Sequence, residues 1–159
     1  MTGRYAVNTS VSVDKSRIEI EHILRRYGAE DFIFGSTRGK AMIRFEMNRR
    51  QVCFVLPLPE PKDKQFTHTE ARNRQRTPED AHAAWEQACR QKWRALSLAV
   101  KAKLEVVASG IATFDDEFMS YILLPGGMTV GDWMAPQIEE AYTSGRMPKL
   151  LPEAKALGQ

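Results

Sequence analysis

Residues 41–58 read AMIRFEMNRRQVCFVLPL, and the fold of this 159-residue chain turns on that stretch. Ala41, Ile43, Phe45 and Met47 fall on one side of an extended run, and Met42, Arg44 and Glu46 on the other. This is the period-two alternation of a half-buried strand. After a short Asn48-Arg49 connection, Val52, Phe54, Leu56 and Leu58 repeat the alternation. Pro57 and Pro59, which lack a backbone N–H, end the pairing. Upstream, Phe32 and Phe34 alternate in the same way, and Ser36 to Gly39 supply turn residues. Connections this short leave no room for parallel crossovers, so an antiparallel three-stranded meander is predicted.

Moving outward, the period changes to that of helices. Between Asp14 and Tyr27 the apolar residues Ile20, Ile23, Leu24 and Tyr27 lie at i, i+3, i+4 and i+7. Ser12 or Asp14 can cap this helix, Glu21 stands four residues before Arg25, and Gly28 can end it. Thr77-Pro78-Glu79-Asp80 opens a second, long helix with a capping hydroxyl, a proline at the first position and two acids near the positive end of the helix dipole. Its stripe of Trp85, Cys89, Trp93, Leu96, Val100, Leu104 and Val107 runs to Gly110.

Farther on, Thr113 with Asp115, Asp116 and Glu117 starts a short helix carrying Phe114, Phe118, Tyr121 and Ile122, stopped by Pro125-Gly126-Gly127. Thr129 caps another, with Val130, Trp133, Ile138 and Ala141 expected inward and Ser144-Gly145 at its end. The expected fold is α+β in a single domain spanning 1–159, with the meander packed on the N-terminal and long central helices and a short helical C-terminal region completing the core. The opposite face of the sheet is expected to be more polar, bearing Arg44 and Glu46. Residues 1–12 are expected to be loosely held and 146–159 to form an extended tail.

Hydrophobic residues at 43% and charged residues at 27% are ordinary globular values, and a chain of this length can build a core without disulfides. No apolar run approaches the roughly 20 residues that cross a bilayer. The opening MTGRYAVNTSVSVD lacks the apolar core of a secretory signal, so a cytoplasmic location is expected. The two cysteines, Cys53 and Cys89, read as buried thiols.

Catalytic and metal patterns are weak. His68, His82 and Cys89 could be grouped as metal ligands, but a loop histidine, a first-turn histidine and a buried thiol describe them better. Asp115, Asp116 and Glu117 could hold Mg²⁺ for phosphodiester chemistry. Their place in the first turn of a helix, where the dipole favours negative charge, is the simpler account. No phosphate-binding glycine loop and no nucleophile elbow follows a predicted strand. No catalytic residue, metal or cofactor is therefore assigned.

The net charge of +3 conceals an uneven distribution. Residues 1–37 sum to zero, residues 38–104 carry fifteen basic and seven acidic groups, and residues 105–159 carry three and eight. The basic middle suggests an anionic partner, unless the acidic end folds back to neutralise it. The charge concentrates in PEPKDKQFTHTEARNRQRTP, residues 59–78, expected to be an exposed connection. Between Lys62 and Arg76, Lys62, Lys64, Arg72, Arg74 and Arg76 are interleaved with Phe66, His68, Asn73 and Gln75 and opposed only by Asp63 and Glu70. Guanidinium forks grip phosphate, amides reach base edges and a ring offers a stacking face, so the composition suits a nucleic-acid strand. Arg90, Arg94 and Lys101 lie in a narrow arc of the following helix and would extend the positive track. A solvated linker is the plain alternative. Trp85 and Trp93 lie on the apolar stripe and read as core, with Trp85, nearer the connection, the better candidate for partial exposure.

The run FTHTEARNRQRTPEDAHAAWEQACRQKWRAL, with VSVDKSRIEIEHILRRYGA before it and TFDDEFMSYILLPGGMTVGDW after it, resembles a group of small proteins encoded in tailed phages and prophages. The resemblance spans nearly the whole chain and carries no catalytic motif. It implies a setting in which small basic proteins serve DNA replication or recombination, or block a host defence complex. Three functions follow as expectations. The first is a nucleic-acid-binding accessory protein for single strands, using Lys62, Lys64, Phe66, His68, Arg72, Arg74, Arg76, Arg90, Arg94 and Lys101. The second is an inhibitor that binds a host defence or regulatory protein complex, and the third is a metal-dependent nuclease. A dimer is compatible with the long apolar stripe, which does not fix the oligomeric state.

Overall fold

The computed structural model describes residues 12–147, so the expected loose start at 1–11 and most of the expected tail, 148–159, lie outside the described residues. The elements are α1 (Val13–Arg26), β1 (Glu30–Thr37), β2 (Lys40–Met47), β3 (Arg50–Pro57), α2 (Lys64–Thr67), α3 (Pro78–Ala108), α4 (Phe114–Phe118), a 3-10 turn (Met119–Tyr121) and α5 (Val130–Ser144). This is the expected α+β arrangement, with the sheet in the order β1-β2-β3 and both pairings antiparallel.

Each hairpin closes in two residues. Asn48 and Arg49 both have positive φ, 51° and 60°, the handedness that matches the twist of paired strands. In β1 the register slips between Glu30 and Ile33, where Asp31 takes φ 52°, the mark of a bulge. Ala41, Ile43, Phe45, Val52, Phe54 and Leu56 are buried on one face of the sheet. That face meets Ile20 and Leu24 of α1, Trp93, Val100 and Leu104 of α3, and Phe114 and Phe118 of α4 in one cluster. Phe45 stacks between Phe32 and Phe54 at 6.0 and 6.3 Å, and Tyr121 lies 4.3 Å from Phe54. The reverse face is mixed. Arg44 and Glu46 are half-buried there as expected, but Ile33 and Val55 are exposed beside them.

Helix ends follow the sequence. Ser12, Thr77, Thr113 and Thr129 each accept a hydrogen bond from the backbone N–H three residues on. The Glu21–Arg25 pair forms at 2.8 Å. Ser16 and Ser97 are fully buried, and neither hydroxyl has a hydrogen-bond partner among the described residues.

Beyond α4 the chain adds pairing that helical periodicity did not announce. Ile122 bridges Val52, and Leu123 N–H donates to the carbonyl of Gln51, so this segment lies along the β3 edge. Leu123 bridges Thr129 across the Pro125-Gly126-Gly127 turn. The inward placement of Trp133 and Ile138 is corrected: Trp133 is 43% and Ile138 51% exposed, and α5 has no buried residue. The helix is seated by its first turn, where a Cβ on Gly131 would come within 2.8 Å of the Ser120 carbonyl oxygen. Past that turn Met134, Gln137 and Ala141 are half-buried, and Trp133, Ile138 and Tyr142 are left exposed.

Candidate nucleic-acid interface

The connection from Pro59 to Pro78 is a folded lobe, which corrects the expectation of a wholly exposed segment. Asp63 and Glu60 exchange a turn: Asp63 N–H donates to the Glu60 carbonyl, and Glu60 N–H donates to Asp63 Oδ2 at 3.3 Å. Helix α2 follows and packs on α3. Its Phe66 is 5% exposed, so the ring is an anchor and offers no face to a base. A lone aromatic in a polar run gains more from burial than from contact with water.

The second half closes back on the first. His68 bridges Gln75, Arg76 N–H donates to the Thr67 carbonyl and Thr69 N–H to the Arg74 carbonyl, each at 2.8 Å for the last two. Asn73, at φ 47°, makes the turn between them. From the body, Trp85 Nε1 donates to the Pro59 carbonyl at 2.8 Å and fixes where the lobe begins.

This architecture sorts the expected contact residues by what they already do. Lys62, Lys64, Arg72 and Arg74 are exposed, and none makes an ion pair with a described residue. Arg76 is half-buried and donates to the Phe66 carbonyl at 3.3 Å, so it braces the lobe. His68 is half-buried with Nδ1 2.9 Å from the Thr67 hydroxyl. Arg90 is held on Gln87 at 2.7 Å and lies 3.8 Å from Glu86. Arg94 pairs with Glu19 of α1 at 2.5 Å, which locks the two helices together.

The arc of α3 therefore does not carry a free positive track. Arg94 and Lys101 line a groove with Lys15, His22 and Arg26 of α1. From Trp85 to Lys101 the helix rises roughly 24 Å, so Lys101 is remote from the start of the lobe. The α1 cations were not singled out by sequence, because the helical period marks an apolar face and says nothing of which neighbour the polar face meets.

No family model, curated protein or solved structure matches the chain. The acidic cluster is dispersed among basic partners: Asp115 pairs with Arg50 at 3.0 Å, Glu117 with Lys103 at 3.0 Å, and Asp116 accepts from the Thr113 hydroxyl at 2.6 Å. The His68, His82 and Cys89 grouping is likewise divided, with His82 3.4 Å from Glu86. Among the described residues no three His, Cys, Asp or Glu side chains are placed to hold a metal ion. No described helix is long and apolar enough to cross a membrane.

Proposed function

We propose that this chain is a nucleic-acid-binding accessory protein acting on single strands, in the phage setting that its sequence resemblance implies. The observation that carries the proposal is the lobe. Lys62, Lys64, Arg72 and Arg74 stand exposed on a fixed backbone without acidic partners, although Asp63 and Glu70 lie in the same segment. A linker needs no such framework, whereas phosphate binding benefits from cations whose backbone is ordered in advance. No described acid of the C-terminal third pairs with them; Asp115 pairs with Arg50 and Glu117 with Lys103.

Fluorescence anisotropy with single- and double-stranded oligonucleotides of equal length at low salt tests the proposal. Micromolar or tighter binding that favours the single strand, and that is lost when Lys62, Lys64, Arg72 and Arg74 are all replaced by alanine, supports it. Absence of binding at micromolar protein overturns it.

One observation favours the second reading, a protein-binding inhibitor. On α5, Ile138 is 51% and Tyr142 88% exposed, and Trp133 adds a third large apolar surface. Ile138 and Tyr142, four residues apart, share one face of the helix, and exposed apolar side chains side by side suit a contact surface. If protein binding is the activity, Ile138→Ala with Tyr142→Ala removes it and the four-cation variant leaves it intact.

A further inference from the structure

We infer that the aromatic cleft between α1, the β1–β2 hairpin and the start of α3 is a pocket for one unstacked nucleobase, of a type that carries carbonyl oxygens. The inference rests on the single-strand proposal and deepens it. The cleft has a volume of about 270 Å³, and Arg17, Phe34, Ser36, Trp85, Cys89 and Trp93 line it. That is just below the range of roughly 300–1,000 Å³ typical of small-molecule sites, a size suited to one flat ring system with the sugar and phosphate left outside.

Its walls are aromatic and its polar groups are mostly spoken for. Trp93 is buried at the floor, Cys89 is a buried neutral thiol, and Trp85 has committed its only N–H to the Pro59 carbonyl. Arg17 stands at the mouth with its guanidinium 5.1 Å from the centre of Phe34 and 5.9 Å from that of Trp93. Its one ion-pair partner among the described residues, Asp14, is 3.8 Å away and 87% exposed, so the cation keeps donors to offer. A guanidinium presents only donors. An occupant that uses these donors is flat, apolar on its faces and carries acceptors at its edge; a carbonyl oxygen with two lone pairs, as on thymine, uracil, cytosine or guanine, matches the guanidinium better than the single lone pairs of adenine's ring nitrogens. Leu58 also borders the cleft, one residue before the lobe begins, and Trp85 of its wall holds the Pro59 carbonyl, so the cleft adjoins the start of the lobe.

The test uses the full chain carrying Trp133→Phe, which leaves Trp85 and Trp93 as the fluorophores. Oligo(dT), oligo(dA) and an abasic oligomer of the same length are titrated in parallel. Stacking of one base is worth about 1–3 kcal/mol by alanine substitution, so the abasic strand should bind roughly tenfold more weakly and leave tryptophan emission unquenched. Oligo(dT) should quench and should bind several-fold tighter than oligo(dA), a preference that Arg17→Ala removes, with circular dichroism showing that the half-buried position tolerates the change. Equal affinity and equal quenching for oligo(dT) and the abasic strand would overturn the pocket and leave strand binding standing. Equal behaviour of oligo(dT) and oligo(dA) would overturn the selection for carbonyl-bearing bases. If no oligomer binds, the strand-binding proposal falls and this inference with it.

Discussion

The hydroxyls of Ser16 and Ser97 are buried on α1 and α3 without a hydrogen-bond partner among the described residues. An unpaired buried hydroxyl costs roughly 1–3 kcal/mol, and alanine is the better helix former by a few tenths more. The oxygen removed leaves only a small void. Ser97→Ala should therefore stabilise the fold by about 1 kcal/mol, read as a rise of roughly 2–4 °C in Tm for a chain of this size. A fall in Tm would show that the hydroxyl has a partner. The two thiols give a second residue-scale expectation. Burial raises the pKa of both Cys53 and Cys89 above the ordinary thiol value. The unfolded chain ionises its thiols above about pH 8.5, while the folded chain resists doing so. A raised pKa contributes stability that is present below the unfolded value and is lost as pH climbs. Urea midpoints should be level near pH 7–8 and decline above about pH 8.5, and the early part of that decline should shrink in a Cys53→Ala, Cys89→Ala chain. Tyr27, whose phenol donates to Glu105 at 2.8 Å, is shifted upward chiefly by that bond and adds to the loss only at still higher pH.

At the scale of elements, what was legible in the sequence were the features set by local geometry. Strand alternation in residues 41–58 places Ile43, Phe45 and Phe54 correctly on one face, and four capping hydroxyls mark four helix starts. What was not legible depended on distant partners. Periodicity gave α5 an apolar face but could not say that Met134, Gln137 and Ala141 would be half-buried while Trp133 and Ile138 stay exposed. A single aromatic such as Phe66 has no period to tell which way it points, and the Arg94–Glu19 pair joins residues 75 apart in the chain. Phe66 now carries the element-scale prediction. Phe→Ala at a buried site costs roughly 3–5 kcal/mol, and here the loss should fall on the lobe that the ring anchors. In Phe66→Ala, amide exchange at Thr69 and Arg76, whose N–H groups close the lobe, should quicken by roughly a hundredfold. The amides of Val100 and Leu104 in α3 should keep their protection. Equal acceleration throughout would mean that the lobe is continuous with the core.

For the whole molecule, the distribution of partners matters more than the net charge of +3. Fifteen basic groups lie in residues 38–104, but Arg44, Arg50, Arg76, Arg90, Arg94 and Lys103 are held by other groups of the chain. Binding a strand through those would require breaking contacts that support the fold, and the gain would be offset by the loss. The exposed lobe cations have nothing to give up. Each phosphate neutralised on a single strand contributes about −0.7 to the slope of log Kobs against log salt concentration. If Lys62, Lys64, Arg72 and Arg74 each meet one phosphate, the slope should be about −3, and each replacement by alanine should make it shallower by roughly 0.7. Arg94→Gln should act differently, freeing Glu19 and loosening α1 from α3 while leaving the slope unchanged. A slope nearer −5 would recruit the α1–α3 groove of Lys15, Arg26 and Lys101 as a second part of the track. In that case Lys101→Ala would lower the slope as much as any lobe variant, and the strand would have to reach from one end of α3 toward the other.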